Sequence, residues 1–344
     1  MVGCPGSAGA GARSRGPAGD ERSARKRGPA LQLFTQRIID GLANGAIYAW
    51  MALAFSLVYK CSGRLNLAQG EIANIGTYLA LVFATAATPA LAGTGLASTL
   101  VPLHPLPVWA AIILAMATAG VLAVAIERWI IRRSGDNAPV VSIGLTIGML
   151  LVLNSTTIFV WKPVNRGFRS PFPTDSRDFV TIGGARLRYE YIGTLTTLLA
   201  VVVLVSLVLN RTKFGLAFRA VSSDAGMARL MGVRSGRVLS GGWAAAAAIG
   251  TLAGCLVANR VILEPNMMVR LLVFGFAAAT IGGLDSLAGA VVGGLAVGVL
   301  ETLMIGYVRL IGADLAVPVM LLLMVITLLV RPTGLLGTAR VTRV

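Results

Sequence analysis

Asn210-Arg211-Thr212-Lys213-Phe214-Gly215 opens a basic, polar island. It continues through Arg219-Ala220-Val221-Ser222-Ser223-Asp224 and closes at Leu230-Met231-Gly232-Val233. Apolar runs of membrane length, 192–210 and 239–259, flank it on both sides. Within 211–238 the cations Arg211, Lys213, Arg219, Arg229, Arg234 and Arg237 stand against one acid, Asp224. An excess of Lys and Arg beside a span marks the cytoplasmic side of a membrane protein. Ser223 or Asp224 can cap the start of a short helix in the island, and Gly232 can close it in a left-handed turn. A short capped helix on the cytoplasmic face is a surface offered to a soluble partner.

Outward from the island the pattern repeats. Apolar runs fall at roughly 38–59, 65–86, 108–127, 139–161, 192–210, 239–259, 270–284, 286–306 and 315–330. Each is near the ~20 residues that cross a ~30 Å hydrocarbon core. The run at 270–284 is short enough to be a half-helix or re-entrant segment. Charged residues make up only 13% of the chain and mean hydropathy is +0.80. A soluble domain is about a quarter charged, so too little polar surface is present for water to wet a globule. The fold class predicted is an all-α integral membrane protein, a polytopic helical bundle of about 8–9 transmembrane segments. Residues 1–30 hold no apolar run and are expected to be a disordered basic tail ahead of a membrane domain at 31–344.

Charge then orients the bundle. With 211–238 inside, Arg128, Arg132 and Arg133 also fall inside, and the loop 87–107, free of Lys, Arg, Asp and Glu, falls outside. The same parity puts the basic tail outside, against its charge preference. The outside loop 162–191 contains Phe179 to Leu187, a hairpin signal around Gly183-Gly184. It is read either as a solvated loop or as a docking surface. The net charge of +16 does not indicate nucleic acid, because the cations sit in loops between spans and in the tail. Cys4, Cys61 and Cys255 are too few and too scattered for a disulfide framework or a zinc site, and a single histidine, His104, rules out histidine clusters. None of the lysines (Lys26, Lys60, Lys162, Lys213) ends a G-x-x-x-x-G-K-[ST] pattern. ATP, if it drives transport, is hydrolysed on another polypeptide.

Polar residues inside the spans are the candidates for a solute path. On a helix, Asn66, Gly70, Asn74 and Thr77 lie opposite an apolar stripe, with Gln69 and Glu71 at the borders. Such a face turns toward protein or water, since an unpaired polar group in lipid costs several kcal/mol. It either lines a path or bonds to neighbouring helices. Asp40, Asn44 and Tyr48 share one side of the first span, and Glu301 lies inside an apolar run; path and helix contact stay open for Asn44, Tyr48 and Glu301. Glu127 is expected to pair with the adjacent Arg128, and Asn154 to bond to a neighbouring helix. Glycines at four-residue spacing (Gly41/Gly45, Gly144/Gly148, Gly250/Gly254, Gly289/Gly293, Gly294/Gly298) let helices approach closely.

From about Ile38 to Gly337 the chain resembles the integral-membrane permease subunits of branched-chain amino acid ABC importers, most closely the first of the two paralogous permeases. Four landmarks carry the resemblance in order: Asn66-Leu67-Ala68-Gln69-Gly70-Glu71; Arg219 to Asp224 followed by Ala228, Leu230 and Gly232; Gly282-Gly283-Leu284-Asp285-Ser286-Leu287-Ala288-Gly289-Ala290; and Pro332-Thr333-Gly334-Leu335-Leu336-Gly337. The resemblance implies a bacterial cytoplasmic-membrane protein, not itself an enzyme, that pairs with a second permease. Two cytoplasmic P-loop ATPases would bind the 211–238 loop, and an extracytoplasmic binding protein would deliver the solute. No cofactor is expected on this chain; ATP and Mg belong to the ATPases. Arg219, Ser223, Asp224, Ala228, Arg229, Leu230 and Gly232 would form the coupling element. Gln69 stands where many relatives carry histidine, and Ser223 where relatives often carry an acid. Similar permeases serve urea and short amides, and a stand-alone ion-coupled transporter is a third reading that leaves the basic loop unexplained.

Overall fold

The computed structural model describes residues 18–85, 106–134, 139–174, 179–182, 185–308, 315–331 and 333–337. Most of the uncharged loop 87–107, Gly183-Gly184, Pro332 and residues 1–17 of the basic tail lie outside them. Eleven α-helices are described: α1 (Ala18–Ser62), α2 (Gln69–Thr85), α3 (Val108–Ile126), α4 (Pro139–Trp161), α5 (Tyr189–Arg211), α6 (Lys213–Ser223), α7 (Ala225–Leu230), α8 (Ser235–Val257), α9 (Met267–Gly282), α10 (Leu287–Tyr307) and α11 (Ala316–Val330). Nine of them match the nine apolar runs; α6 and α7 lie in the island. Six segments are long and apolar enough to cross a membrane, within α1, α3 with the turn that follows it, α4, α5, α8 and α10. The run 270–284 belongs to α9, 16 residues long, or about 24 Å at 1.5 Å per residue.

Glycine sets which helices touch backbone to backbone. A Cβ on Gly45 would lie 2.8 Å from Leu295 Cα, and one on Gly41 2.8 Å from Val299 Cα. Gly294 and Gly298 meet Ala49 and Gly45 from the other side. The small residues of α1 and α10 thus form one close crossing. Gly282, Gly289 and Gly293 do the same for the α9–α10 hairpin, which turns at Gly283 (φ 110°). Gly144 and Gly148 differ: an added Cβ on either meets nothing within 4 Å, and the span of α4 is only 17% buried. The tail segment 333–337 seals the turn. Leu335 N donates to Ile281 O (2.8 Å) and Leu336 N to Gly282 O (3.0 Å), so two stretches that mark the resemblance are neighbours in space.

The cations of the island, of the α1 end and of the α3 end meet at one end of the bundle. Arg132 Nη2, just past α3, donates to Gly236 O (2.7 Å) and Ser240 Oγ (2.9 Å) at the start of α8. Ser62, Arg64, Arg132, Val221 and Arg229 line one cavity of about 410 Å³ there. At the other end β1 (Phe179–Ile182) and β2 (Ala185–Arg188) pair antiparallel from Phe179↔Arg188 to Ile182↔Ala185. That hairpin joins α1, with Arg186 N donating to Gln36 Oε1 (2.7 Å) and Gln36 Nε2 to Arg186 O (3.2 Å). α1 therefore enters from the end opposite the 211–238 island, as parity requires, and the charge of the tail remains opposed to it.

Glu127 corrects one expectation. Its partner is Arg132 (2.9 Å), not Arg128. Residues 127–131 form a π-helical turn in which Arg132 N donates to Glu127 O. The wider i→i+5 turn stacks residue 132 over 127, and Ser240 Oγ donates to the same carboxylate at Oε2 (2.6 Å).

Candidate functional site

α2 is enclosed by other helices, with 14 of its 17 residues buried. Asn66 starts it: its Oδ1 accepts from Ala68 N (3.1 Å), an Asx-type turn. Asn66 Nδ2 lies 3.4 Å from Gln69 Oε1. Gln69 Nε2 donates to Ala246 O (2.8 Å), halfway along α8. A Cβ on Gly70 would press Leu272 Cδ1 at 2.9 Å, so the glycine lets α9 close onto α2. One turn on, Asn74 Nδ2 donates to Pro265 O (2.6 Å). Asn154 of α4 completes the group: its Nδ2 lies 3.3 Å from Glu71 Oε1, 3.4 Å from Pro265 O and 3.3 Å from Asn266 Oδ1. Glu71, Asn74, Asn154, Pro265 and Asn266 thus form one polar nest.

A second cluster lies across α9. Tyr48 Oη donates to Glu301 Oε2 (2.6 Å), and Arg270 Nη2 to Glu301 Oε1 (2.7 Å). The Tyr48 ring stacks on Phe274 at 4.8 Å, and the Arg270 guanidinium lies 5.4 Å from the same ring centre. Met268 and Leu272 of α9 face Gly70, while Arg270 and Phe274 face α1 and α10. The expected path residues therefore divide into two groups on either side of one helix. Asn44, half-buried, belongs to neither.

At the end that carries the 211–238 island, α6 packs by Gly215, Phe218 and Val221. Asp224, rather than Ser223, caps α7: its Oδ1 accepts from Gly226 N (2.8 Å) and Met227 N (3.0 Å). Gly232 (φ 81°) closes it, with Gly232 N donating to Arg229 O (3.0 Å) and Val233 N to Ala228 O (2.9 Å). This is the Schellman pattern. Ala228 is the buried foot of α7. Arg219, Ser223, Asp224 and Arg229 are exposed, as are Leu230 (81%) and Met231 (82%). Arg229 Nε is held by Ser235 Oγ (2.9 Å). α7 is a short, doubly capped helix with an apolar tip outside the bundle.

The family described as "Branched-chain amino acid transport system / permease component" matches residues 37–328. The chain belongs to that family. Among curated proteins, the permease is 29% identical over 324 residues to the high-affinity branched-chain amino acid transport system permease protein BraD of Pseudomonas aeruginosa, covering 92% of this chain and all of that one. It is 27% identical over 321 residues to LivH of Escherichia coli K12, covering 90% and 98%. It is 26% identical over 295 residues to a probable LivH of Methanocaldococcus jannaschii, covering 83% and 87%. The permease is thus a polytopic helical protein of the membrane and a transport component rather than an enzyme.

Arg270 and Asn266 of the permease escaped the sequence reading. Arg270 opens an apolar run and looks like an ordinary interfacial charge. Only the fold sets it beside Glu301, and no spacing rule links residues 31 apart in sequence. Glu301 is 4% exposed and Arg270 50%. Removing one partner leaves the other uncompensated, at about 3 kcal/mol, the low end for buried pairs because Arg270 is half wet. Glu301→Gln or Arg270→Met should therefore lower the thermal midpoint of the detergent-purified permease. The double variant Glu301→Gln/Arg270→Met should recover most of that loss. Additive losses in the double variant would show that the two residues act independently.

Proposed function

We propose that this permease is one of the two membrane subunits of a binding-protein-dependent ABC importer for branched-chain amino acids. An external binding protein delivers the solute, and two separate cytoplasmic ATPases bind at α7. The observation that carries the reading is α7 itself. Its Asp224 and Gly232 caps fix it as a rigid unit, and its apolar tip stands free at the basic end. A rigid knob seated in a groove transmits rigid-body motion, and the P-loop that would burn ATP is missing from this sequence. The names of the relatives support the solute class.

The solute is tested on the cognate binding protein by calorimetry with leucine, isoleucine, valine and urea. Binding of the three aliphatic amino acids with no heat from urea is expected. Urea binding without amino-acid binding would replace the solute and leave the importer architecture standing.

A further inference from the structure

Four glutamates are buried in this bundle: Glu71, Glu127, Glu190 and Glu301. Three of them carry an arginine: Glu127 with Arg132, Glu190 with Arg260, and Glu301 with Arg270. Among the described residues Glu71 has none, although it is only 2% exposed. Its neighbours are neutral amides: Asn154 makes a long contact to Oε1, and the Asn74 side chain lies beside the carboxylate. Glu71 Oε2 is buried without a partner, and so is Oδ1 of Asn74, which is fully buried one turn along the same helix. The unsatisfied atoms are therefore both acceptors, and one belongs to a carboxylate. A buried charge without a partner is costly. What the nest lacks is a cationic donor.

We propose that Glu71 and Asn74 form a subsite for the α-ammonium group of the transported amino acid. A primary ammonium carries three N–H donors and one positive charge. It supplies both orphaned acceptors with hydrogen and neutralises the carboxylate. A single amide bridges the nest to an exposed residue. Asn154 Nδ2 reaches Glu71 on one side and Asn266 Oδ1 on the other, and Asn266 is exposed. No charged donor need be displaced, as it would be at the other three glutamates. The subsite rests on the reading that the solute is an amino acid. The competing occupant is a proton: a neutral Glu71 carboxyl donating to Asn74 Oδ1 also satisfies both atoms, and it needs no ligand.

Glu71→Gln separates the two, because glutamine is isosteric with the protonated acid but cannot neutralise an ammonium. The full importer, with its second permease, ATPases and binding protein, is reconstituted in proteoliposomes, and ATP-driven uptake of labelled leucine is followed. Wild-type uptake of leucine tests the solute reading separately. Given that uptake, Glu71→Gln is expected to lower it at least tenfold with complex assembly unchanged, and Glu71→Asp to retain more than Glu71→Gln. Uptake by Glu71→Gln equal to wild type would overturn the subsite in favour of a proton, leaving the importer reading intact. If Glu71→Gln does not assemble, Asn74→Ala serves in its place. That variant removes the second acceptor without touching charge, together with the amide bond to Pro265 O, so a several-fold loss of uptake with assembly and basal ATPase activity unchanged supports the subsite, and unchanged uptake overturns it.

Discussion

Gly298→Val should leave almost no folded permease in the membrane. The position is in the middle of the α1–α10 crossing, where an added Cβ overlaps the Gly45 backbone and lies 2.6 Å from Gly41 O. These neighbours are main-chain atoms that cannot swing aside as a side chain would. Relief requires separating α1 from α10, which also moves Tyr48 away from Glu301. Overpacking costs about 1–3 kcal/mol where side chains can adjust, and a clash with fixed backbone belongs at or above the top of that range. The same substitution at Gly144, where an added Cβ meets nothing of this chain within 4 Å, should leave the chain folded. Membrane yield and a monodisperse gel-filtration peak report the difference. Equal yields of the two variants would show that the α1–α10 backbone contact is not what fixes the bundle.

Gly232→Pro should uncouple the permease without unfolding it. Gly232 sits at φ 81°, whereas proline is locked near −65° and has no N–H to give to Arg229 O. The carbonyl caps of α7 are lost and its exposed end, Leu230 and Met231, is redirected. The buried foot at Ala228 and the bundle below are untouched. Solute-stimulated ATPase activity of the assembled importer should fall at least tenfold with normal amounts of permease in the membrane. Asp224→Lys removes the other cap, which is worth about 1 kcal/mol, and adds positive charge at a helix N-terminus where charge of that sign is unfavourable. It should give a smaller loss in the same direction. Unchanged stimulation in both variants would remove α7 as the coupling element.

The parts of this molecule that are local in sequence were legible before any coordinates. Asp224 and Gly232 bracket six helical residues, and capping chemistry alone places a helix between them. The glycine pairs at 41/45 and 294/298 announced close packing, although nothing in either pair names the other as its partner. The amides of 66–74 were seen to share a face, yet that face alone left a solute path and helix bonding undecided. What stayed hidden depends on long-range placement. Tyr48, Arg270 and Glu301 come from three separate helices. Asn154 and Asn266 meet over Glu71 only because α4 and the start of α9 pack beside α2. Glu127 misled for a local reason: the π turn after α3 changes the helical period, so the partner one expects from α-helical or adjacent spacing is displaced to residue 132. Gly144 and Gly148 share the spacing of the packed pairs but face away from their own chain, and the spacing of small residues is the same in both cases.

The central claim is that this polypeptide is a membrane passage without a motor, driven from its basic end. It is tested most directly by reconstituting the purified permease in ATP-loaded liposomes, alone and with its second permease, ATPases and binding protein, and measuring labelled leucine against its gradient. The account predicts accumulation only in the complete set, and loss of that accumulation when the permease carries Gly232→Pro. Uphill accumulation by this chain alone would contradict it.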